Sequence, residues 1–465
     1  MYCGYVTTLK NVRPHSNADR MKLADCFGNT VCVGLYAKEN DAVIYFPVEG
    51  QLSAEYCAKN DLVRRKDENG NPCGGYLDPN KRNIRAIKLR GEKSDGLTMP
   101  LDSLAYTGVN LSELTIGTQI TVINGHEICQ KYIPKSKNCV HAGGGNKTRK
   151  RKDPIAPLFQ EHADTEQLAY NLSAFKPGDD IEITLKMHGT SQRTGYLPTL
   201  KGYKRTFWDK IFRCPGIPVY DYGYVSGTRR VVLDTFDGGF YGSNEFREQH
   251  SKVFEGKLWK GETVYYEVVG FTHTGAPIMS SCNNKKISDK EFVKQYGEET
   301  VFSYGCAPDG YIGDGGWGVA PKPKNSMNSV LVFEPQSDIY VYRMTMTNED
   351  GNVVEYTPDF MRYRCEQMGV KTVEVFWRGI LTEDILDKSA GECVKEFAEQ
   401  FYDGPDPIGK THVREGVVVR ILNRPKFTAY KHKNHTFKML SGIAIADAEA
   451  SGAVENLSED ILAEM

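Results

Sequence analysis

Lys186 ends the stretch Ile181-Glu182-Ile183-Thr184-Leu185-Lys186 and is followed by Met187-His188-Gly189-Thr190-Ser191, so a strand-like alternation runs into a lysine, a histidine and a glycine turn. A lysine amine has an ordinary pKa of about 10.4, and only its deprotonated form is a nucleophile. Burial or nearby positive charge lowers that pKa. A reactive Lys186 therefore calls for a cationic, phosphate-binding environment supplied by the rest of the chain. Gly189 lets the backbone pass close to a ligand. A Lys-x-His-Gly string arises by chance in many chains, and its meaning depends on the residues downstream of it.

Tyr224 to Val231 is a short segment containing the paired Arg229 and Arg230. Val264 to Gly270 is an apolar strand interrupted by one carboxylate, Glu267. Charged side chains are rarely buried unless paired, so Glu267 faces a ligand hydroxyl, a metal or a cation, or else lies on a solvent face. In Ser337 to Met344, Tyr340 and Tyr342 are two apart on one strand face; such rings stack on a purine, but tyrosines are also ordinary strand formers. Arg414-Glu415-Gly416 sets a carboxylate at the mouth of the β-branched run Val417 to Val419, and Phe427 to Asn434 carries Lys431 and Lys433. Residues two apart on a strand point the same way. Two such lysines repel unless an anion such as a triphosphate lies between them, the alternative being a lysine-guarded edge strand.

These groups must be held by folded elements, and the composition provides for them. The chain has 465 residues, 40% hydrophobic and 25% charged, with a formal net charge of -2. Single cores rarely grow past roughly 250 residues, so two or three domains are expected. Residues 1–125 read as short strands and turns. Within Ile84 to Gly91, alternation places Ile87 and Leu89 on one face and Lys88 and Arg90 on the other, which suggests a small barrel with a cationic face. Residues 126–158 read as a basic linker: from Gln130 to Lys152 there are eight Lys or Arg and no acid, with three glycines at Gly143–Gly145. Such a stretch buries little apolar surface and could track a phosphate backbone. His126, Cys129, Cys139 and His141 have a spacing that fits no familiar zinc finger. Residues 159–465 form the domain that carries the chemistry. Twelve scattered cysteines without a CxxC pair fit reduced thiols. With no apolar leader and no run of about 18 apolar residues, a soluble, cytoplasmic protein without a membrane partner is expected.

Two resemblances rest on these residues. Pro14-His15-Ser16-Asn17-Ala18-Asp19-Arg20-Met21 and Leu89-Arg90-Gly91-Glu92-Lys93-Ser94-Asp95-Gly96-Leu97 resemble the OB-type tRNA-binding modules attached to some aminoacyl-tRNA synthetases. In order, Lys186 to Thr190, the strand around Glu267, Tyr340 to Arg343, Arg414-Glu415-Gly416 and Lys431-His432-Lys433 resemble motifs I, III, IIIa, IV and V of the covalent nucleotidyltransferases. Within that superfamily the chain is most similar to the Deinococcus-type ATP-dependent RNA ligases, the fifth RNA ligase family. His188, where DNA ligases and capping enzymes have aspartate, favours an RNA ligase.

The resemblance implies an α+β protein, with an N-terminal OB-type β-barrel followed by an adenylyltransferase domain of antiparallel sheets with flanking helices. It implies that Lys186 attacks the α-phosphate of ATP and holds AMP. Glu267 and Glu415 would bind the ribose and a divalent metal, Mg2+ or Mn2+. Tyr342 would stack on adenine, Lys431 and Lys433 would hold the α-phosphate, Arg229 would match an arginine after motif I, and His188 would assist a later step. The implied product is a sealed nick in RNA, with RNA on the 3′-OH side of the duplex, made by a monomer. An mRNA capping-type guanylyltransferase, an ATP-dependent DNA ligase and a non-catalytic RNA-binding protein are the alternatives. The chain departs from the compact members by insertions at 201–218 and 305–323, the latter a glycine-rich run not framed as a phosphate loop. With 32 residues after Lys433, including the acidic Glu455 to Glu464, no sizeable C-terminal domain is expected. Substrate contacts are therefore expected from the barrel residues Lys88, Arg90 and Lys93.

Overall fold

The computed structural model describes residues 2–133, 153–162, 165–207, 216–233, 235–236, 245–270, 278, 337–383, 386–408 and 413–442. The expected features at Cys139, His141 and most of the basic stretch, at 305–323, and at Glu455 to Glu464 lie outside them. The fold is α+β, dominated by antiparallel sheets with few helices. It divides into one compact unit of residues 1–134 with 438–443 and another of 135–437 with 444–465.

In the first unit, Leu97–Pro100, Ala42–Phe46, Gly4–Thr8 and Gln119–Ile120 form a four-stranded sheet in that order. Lys10–His15, Ala18–Cys26 and Asn29–Gly34 form a three-stranded meander. Val6, Ile44, Phe46, Leu52, Tyr56 and Leu104 fill the core. A barrel is expected from the sequence, but among the described residues the strands fall into separate sheets and no hydrogen-bonded ring closes. His126–Glu127 and Cys129–Lys131 are strands of this unit, so the linker expected from residue 126 does not start there. Cys129 is buried, and its thiol donates to the Ile120 carbonyl (3.2 Å). His126 instead meets Glu55 (3.1 Å) and the Tyr106 ring. Among the described residues no group of three or more His, Cys, Asp or Glu could hold a metal, and no helix is long and apolar enough to cross a membrane.

The second unit is built on two sheets. The five-stranded one runs Glu166–Gln167, Thr428–Lys433, Gly416–Ile421, Asp180–Leu185, Val375–Ile380. In the central strand Ile181, Ile183 and Leu185 are buried as the alternation requires, and they pack with Val394 and Ala398 of the helix Ala390–Glu399 or with the junction beyond it. That helix starts with a capping box in which Ser389 and Glu392 satisfy each other's backbone N–H groups. Glu182, on the opposite face, is also buried and is paired with Arg362 (2.9 Å).

The larger sheet orders Val232–Leu233, Ile217–Gly227, Thr190–Lys204, Glu262–Gly270, Ser337–Thr347 and Val353–Glu355, with Lys371–Thr372 beside Ser337–Thr347. The helices Glu245–Lys252 and Pro358–Met368 supply Phe246, Met361, Cys365 and Met368 to its core. The second helix has Thr357 as N-cap, Pro358 in its first turn and Gly369 in a left-handed C-cap, each a residue type suited to its position.

Glu262 locks that helix to the sheet. It is wholly buried and accepts hydrogen bonds from Arg364 Nε (2.9 Å) and Nη2 (2.8 Å), the Tyr356 hydroxyl (3.0 Å) and the Trp259 N–H (2.7 Å). Removing one partner of a buried ion pair leaves the other charge uncompensated, at about 3–5 kcal/mol. Glu262→Ala is therefore expected to lower unfolding free energy by about that amount, read from urea denaturation. A change within the scatter of ordinary surface substitutions would show that the pair contributes little.

Candidate active site

Three strand ends meet at one edge of the five-stranded sheet. Lys186 directly follows Asp180–Leu185, Glu415 directly precedes Gly416–Ile421, and Lys433 ends Thr428–Lys433. Two backbone bonds join them: the Lys186 N–H donates to the Gly416 carbonyl (3.0 Å), and the Asn434 N–H to the Glu415 carbonyl (2.8 Å). Gly416 lies opposite Lys433 and sits at φ 147°, where an added Cβ would fall 2.1 Å from the His432 carbonyl oxygen. A side chain there has no room.

The side chains converge as their chain ends do. Glu415 is 4% exposed; Lys186 Nζ lies 2.8 Å from its Oε1, Lys433 Nζ 3.7 Å from the same atom, and His188 Nδ1 3.2 Å from Oε2. Burial by itself raises a carboxyl pKa, but Lys186, His188 and Lys433 outweigh it and hold Glu415 well below the usual carboxylate range. The sequence leads to the expectation of cationic neighbours around Lys186, yet its nearest charge is this anion. His188 also packs edge-on against Phe437, with centroids 4.7 Å apart. Lys431 is half-buried, on the same strand face as Lys433 and opposite Val418. His432 points to the other face, where it stacks on Tyr402 and meets Glu399 (3.4 Å).

The larger sheet supplies the facing wall. After Gly189, Thr190–Lys204 pairs with Glu262–Gly270, placing Ser191 opposite Glu267, and Glu267 in turn lies opposite Tyr340. A Cβ on Gly189 would fall 2.4 Å from the Val268 carbonyl oxygen and 2.8 Å from Glu267 Cγ. The glycine is thus required by close approach, which brings the Lys186 segment onto the Glu267 strand. Leu185, Met187, Val269 and Val373 fill the junction beneath, with Tyr340 and Tyr342 at its margin. Register shifts at Tyr342, and its hydroxyl is 2.9 Å from Ser191 Oγ.

Several contributors carry no sequence pattern. His162 contacts the Tyr342, Tyr265 and Phe427 rings at 5.0, 5.7 and 5.7 Å. Burial, then Arg343, Arg229 and Arg193, hold its pKa well below the usual imidazole value. The neutral ring meets Arg343 Nη1 through Nδ1 (3.4 Å). Arg229 joins the cluster through its carbonyl, which accepts from the His162 N–H (3.4 Å) and from buried Arg193 (3.2 Å). Buried Arg247 fixes the start of Thr190–Lys204 by donating to Thr190 Oγ1 (2.7 Å) and the Ser191 carbonyl (3.2 Å). The position of Arg247 in a helix 57 residues away gives no hint of this contact.

In the first unit, the two OB-like signatures are in contact. His15 Nε2 is 3.0 Å from the Leu89 carbonyl, Asn17 Nδ2 donates to the Arg90 carbonyl (3.1 Å), and Arg90 Nη1 donates to the Asn17 carbonyl (3.3 Å). Lys88 lies opposite Lys93 in the hairpin Ala86–Leu89 and Glu92–Asp95. Arg90 is not on the strand face with Lys88, as simple alternation would have it. With Gly91 it forms the two-residue turn, at φ 47° and 95°, conformations that match strand twist.

No family model matches the chain, and no curated protein matches it by sequence. Its fold is similar to solved structures of Naegleria gruberi RNA ligase. A point mutant with ATP and Mn has a TM-score of 0.50 at 15% identity, covering 94% of this chain and 97% of that one. The same enzyme with PPi gives 0.50 and 15%, covering 93% and 97%. At this identity the likeness establishes the fold.

The ionised Glu415 sets a pH dependence. A carboxylate depressed in the folded state adds stability that is complete above its unfolded pKa of about 4.3 and is lost as pH falls through the folded value. Glu415→Gln is expected to be less stable than the parent at neutral pH, with the gap narrowing as pH drops below about 4.3. Urea midpoints across that range measure it; a pH-independent gap would contradict the ion network.

Proposed function

We propose that the chain is an ATP-dependent RNA ligase of the Deinococcus type, in which Lys186 carries AMP from ATP to the 5′-phosphate of an RNA end. The observation that carries this reading is the gathering of Lys186, His188 and Lys433 on the buried Glu415 carboxylate, with Gly189 pressed onto the Glu267 strand. The fold shared with ligases whose structures hold ATP and Mn supports it.

Glu267 and Glu415 are hard oxygen donors, and Glu415 is held ionised, so the pair suits Mg2+ or Mn2+. When bound, such an ion neutralises phosphate charge and polarises the reacting oxygen. The residues divide the remaining work. Lys431 and Lys433 hold the α-phosphate, and Tyr342, steadied by Ser191 and His162, stacks on adenine. A triphosphate arriving at Lys433 competes with Glu415 for its cations and releases Lys186 Nζ. Having given up a proton, Nζ attacks the α-phosphorus; the N–P bond forms as the P–O bond to pyrophosphate breaks. An oxygen of the RNA 5′-phosphate then displaces Lys186 from AMP, and the 3′-hydroxyl attacks that end and expels AMP. Phosphoryl transfer depends on such positioning and charge neutralisation. His188 assists a step after the first, and Arg229 lines the base side.

The first unit serves as an OB-type nucleic-acid module, with Lys88, Arg90 and Lys93 contacting the strand. A nick with RNA on its 3′-hydroxyl side is the substrate, since the 2′-hydroxyl and A-form minor groove distinguish RNA from DNA.

With ATP labelled at the α-phosphate, the protein is expected to give a covalent band on a denaturing gel, and Lys186→Ala none. Labelling by GTP in place of ATP would indicate a guanylyltransferase, and equal sealing of all-DNA nicks a DNA ligase. Lys88→Ala and Arg90→Ala are expected to weaken RNA binding in a filter assay while leaving the band unchanged. Parallel loss of both activities would show that the first unit is not a separate binding module.

A further inference from the structure

Arg362 and Arg364 stand two residues apart on the helix Pro358–Met368 and grip glutamates of different sheets. At about 100° per residue, side chains so spaced leave a helix on nearly opposite sides. Arg362 Nη2 lies 2.9 Å from Oε2 of Glu182, in the central strand of the five-stranded sheet. Arg364 holds Glu262, the first residue of its strand in the larger sheet, at two points: Nε donates to Oε1 (2.9 Å) and Nη2 to Oε2 (2.8 Å).

The strands gripped in this way are the two that lead into the candidate site. Glu182 stands four residues before Lys186, and Glu262 five before Glu267. Both anchors are themselves held. The Arg364 guanidinium lies over the Trp259 ring (3.8 Å) and donates to the Lys257 carbonyl (3.0 Å). Arg362 also meets Asp359 (2.9 Å), which accepts from Arg378 of the adjacent strand Val375–Ile380 (2.7 and 2.8 Å), and Arg378 lies opposite Glu182.

A buried ion pair adds little stability over well-packed apolar side chains, so stability alone does not explain two of them on one helix. A planar guanidinium does fix the direction of the carboxylate that it binds. Strands rise by about 3.3 Å per residue, which puts Lys186 about 13 Å and Glu267 about 17 Å from their anchors. A tilt of a few degrees at the anchor then displaces either residue by about 1 Å, and a misplacement of that size can cost about 100-fold in rate. We propose that the helix Pro358–Met368 is a yoke that sets where Lys186 stands relative to Glu267, with Arg362 and Arg364 as its positioning residues. What those two strand ends do rests on the ligase function proposed above; the yoke itself does not.

The test uses the full chain and two measurements, hydrogen exchange read by mass spectrometry and the rate of covalent AMP formation. Arg362→Met, which loses its hold on the five-stranded sheet, is expected to quicken exchange in Glu262–Gly270 of the other sheet. Arg364→Lys, which keeps the charge but loses the two-point grip, is expected to quicken exchange in Asp180–Leu185. The helix Ala390–Glu399, which carries no partner of either arginine among the described residues, should exchange as in the parent. At saturating ATP, Arg362→Met is expected to form the adduct about tenfold more slowly or worse, with half-saturation within about threefold of the parent. Arg362→Lys, which can reach Glu182 through one atom as the arginine does, should recover most of that rate. Changes confined to the strand of the glutamate that lost its partner would overturn the proposal, as would equal changes in Ala390–Glu399. A parental adduct rate in Arg362→Met would overturn the positioning role. If Arg364→Lys does not fold, the two Arg362 variants decide. If the parent forms no AMP band, the ligase reading fails and the exchange pattern alone decides whether the yoke stands.

Discussion

Glu415 is the constraint on which the geometry of the candidate site depends. A carboxylate taken out of water is penalised by several kcal/mol unless cations and hydrogen bonds replace its hydration. Here Lys186, His188 and Lys433 do so, and each comes from a chain segment that ends a strand of the same sheet. The anion thereby fixes the Lys186 amine, and the sheet fixes the anion through the Lys186–Gly416 and Asn434–Glu415 backbone bonds. Without the buried charge, two lysines and a histidine within reach of one another would repel.

The same arrangement distinguishes a resting site from a reacting one. A lysine beside a carboxylate is held in place but is not thereby made a nucleophile, and in the reaction proposed for this site the phosphates take over as the counter-charge. Phosphate oxygens suit Lys433 as well as the carboxylate does. Around Tyr342 the logic is reversed: His162 is kept neutral by burial and by three arginines, so the wall beside the aromatic ring gains no further positive charge. One end of the candidate site thus gathers lysines around a buried carboxylate, and the other sets aromatic rings beside a neutral imidazole.

Gly189 and Gly416 show how backbone geometry serves this chemistry. Each stands where a Cβ would strike a neighbouring strand's carbonyl oxygen. Gly189 allows the Lys186 segment to lie on the Glu267 strand of the second sheet, and Gly416 allows two strands to close at the edge where Lys186 emerges. Glu262, deep in the larger sheet, anchors the start of the Glu267 strand to the helix Pro358–Met368.

The alternation of Ile181, Ile183 and Leu185 was enough to determine a buried strand ending at Lys186, because period-two burial is a local property of extended chain. Residue type and order likewise marked Glu415, Lys433, His188 and Gly189, whose neighbours along the chain carry recognisable motifs. The closed barrel expected for the first unit does not follow from alternation, since closure depends on which distant edges pair. The turn at Arg90 and Gly91 escaped for a related reason: alternation says nothing of where a strand stops. The tertiary structure alone decided that an anion, Glu415, is the nearest charge to Lys186, and that His162, Arg193 and Arg247 support the site. Those contacts join residues far apart in sequence, and no local pattern encodes a distance set by the packing of two sheets.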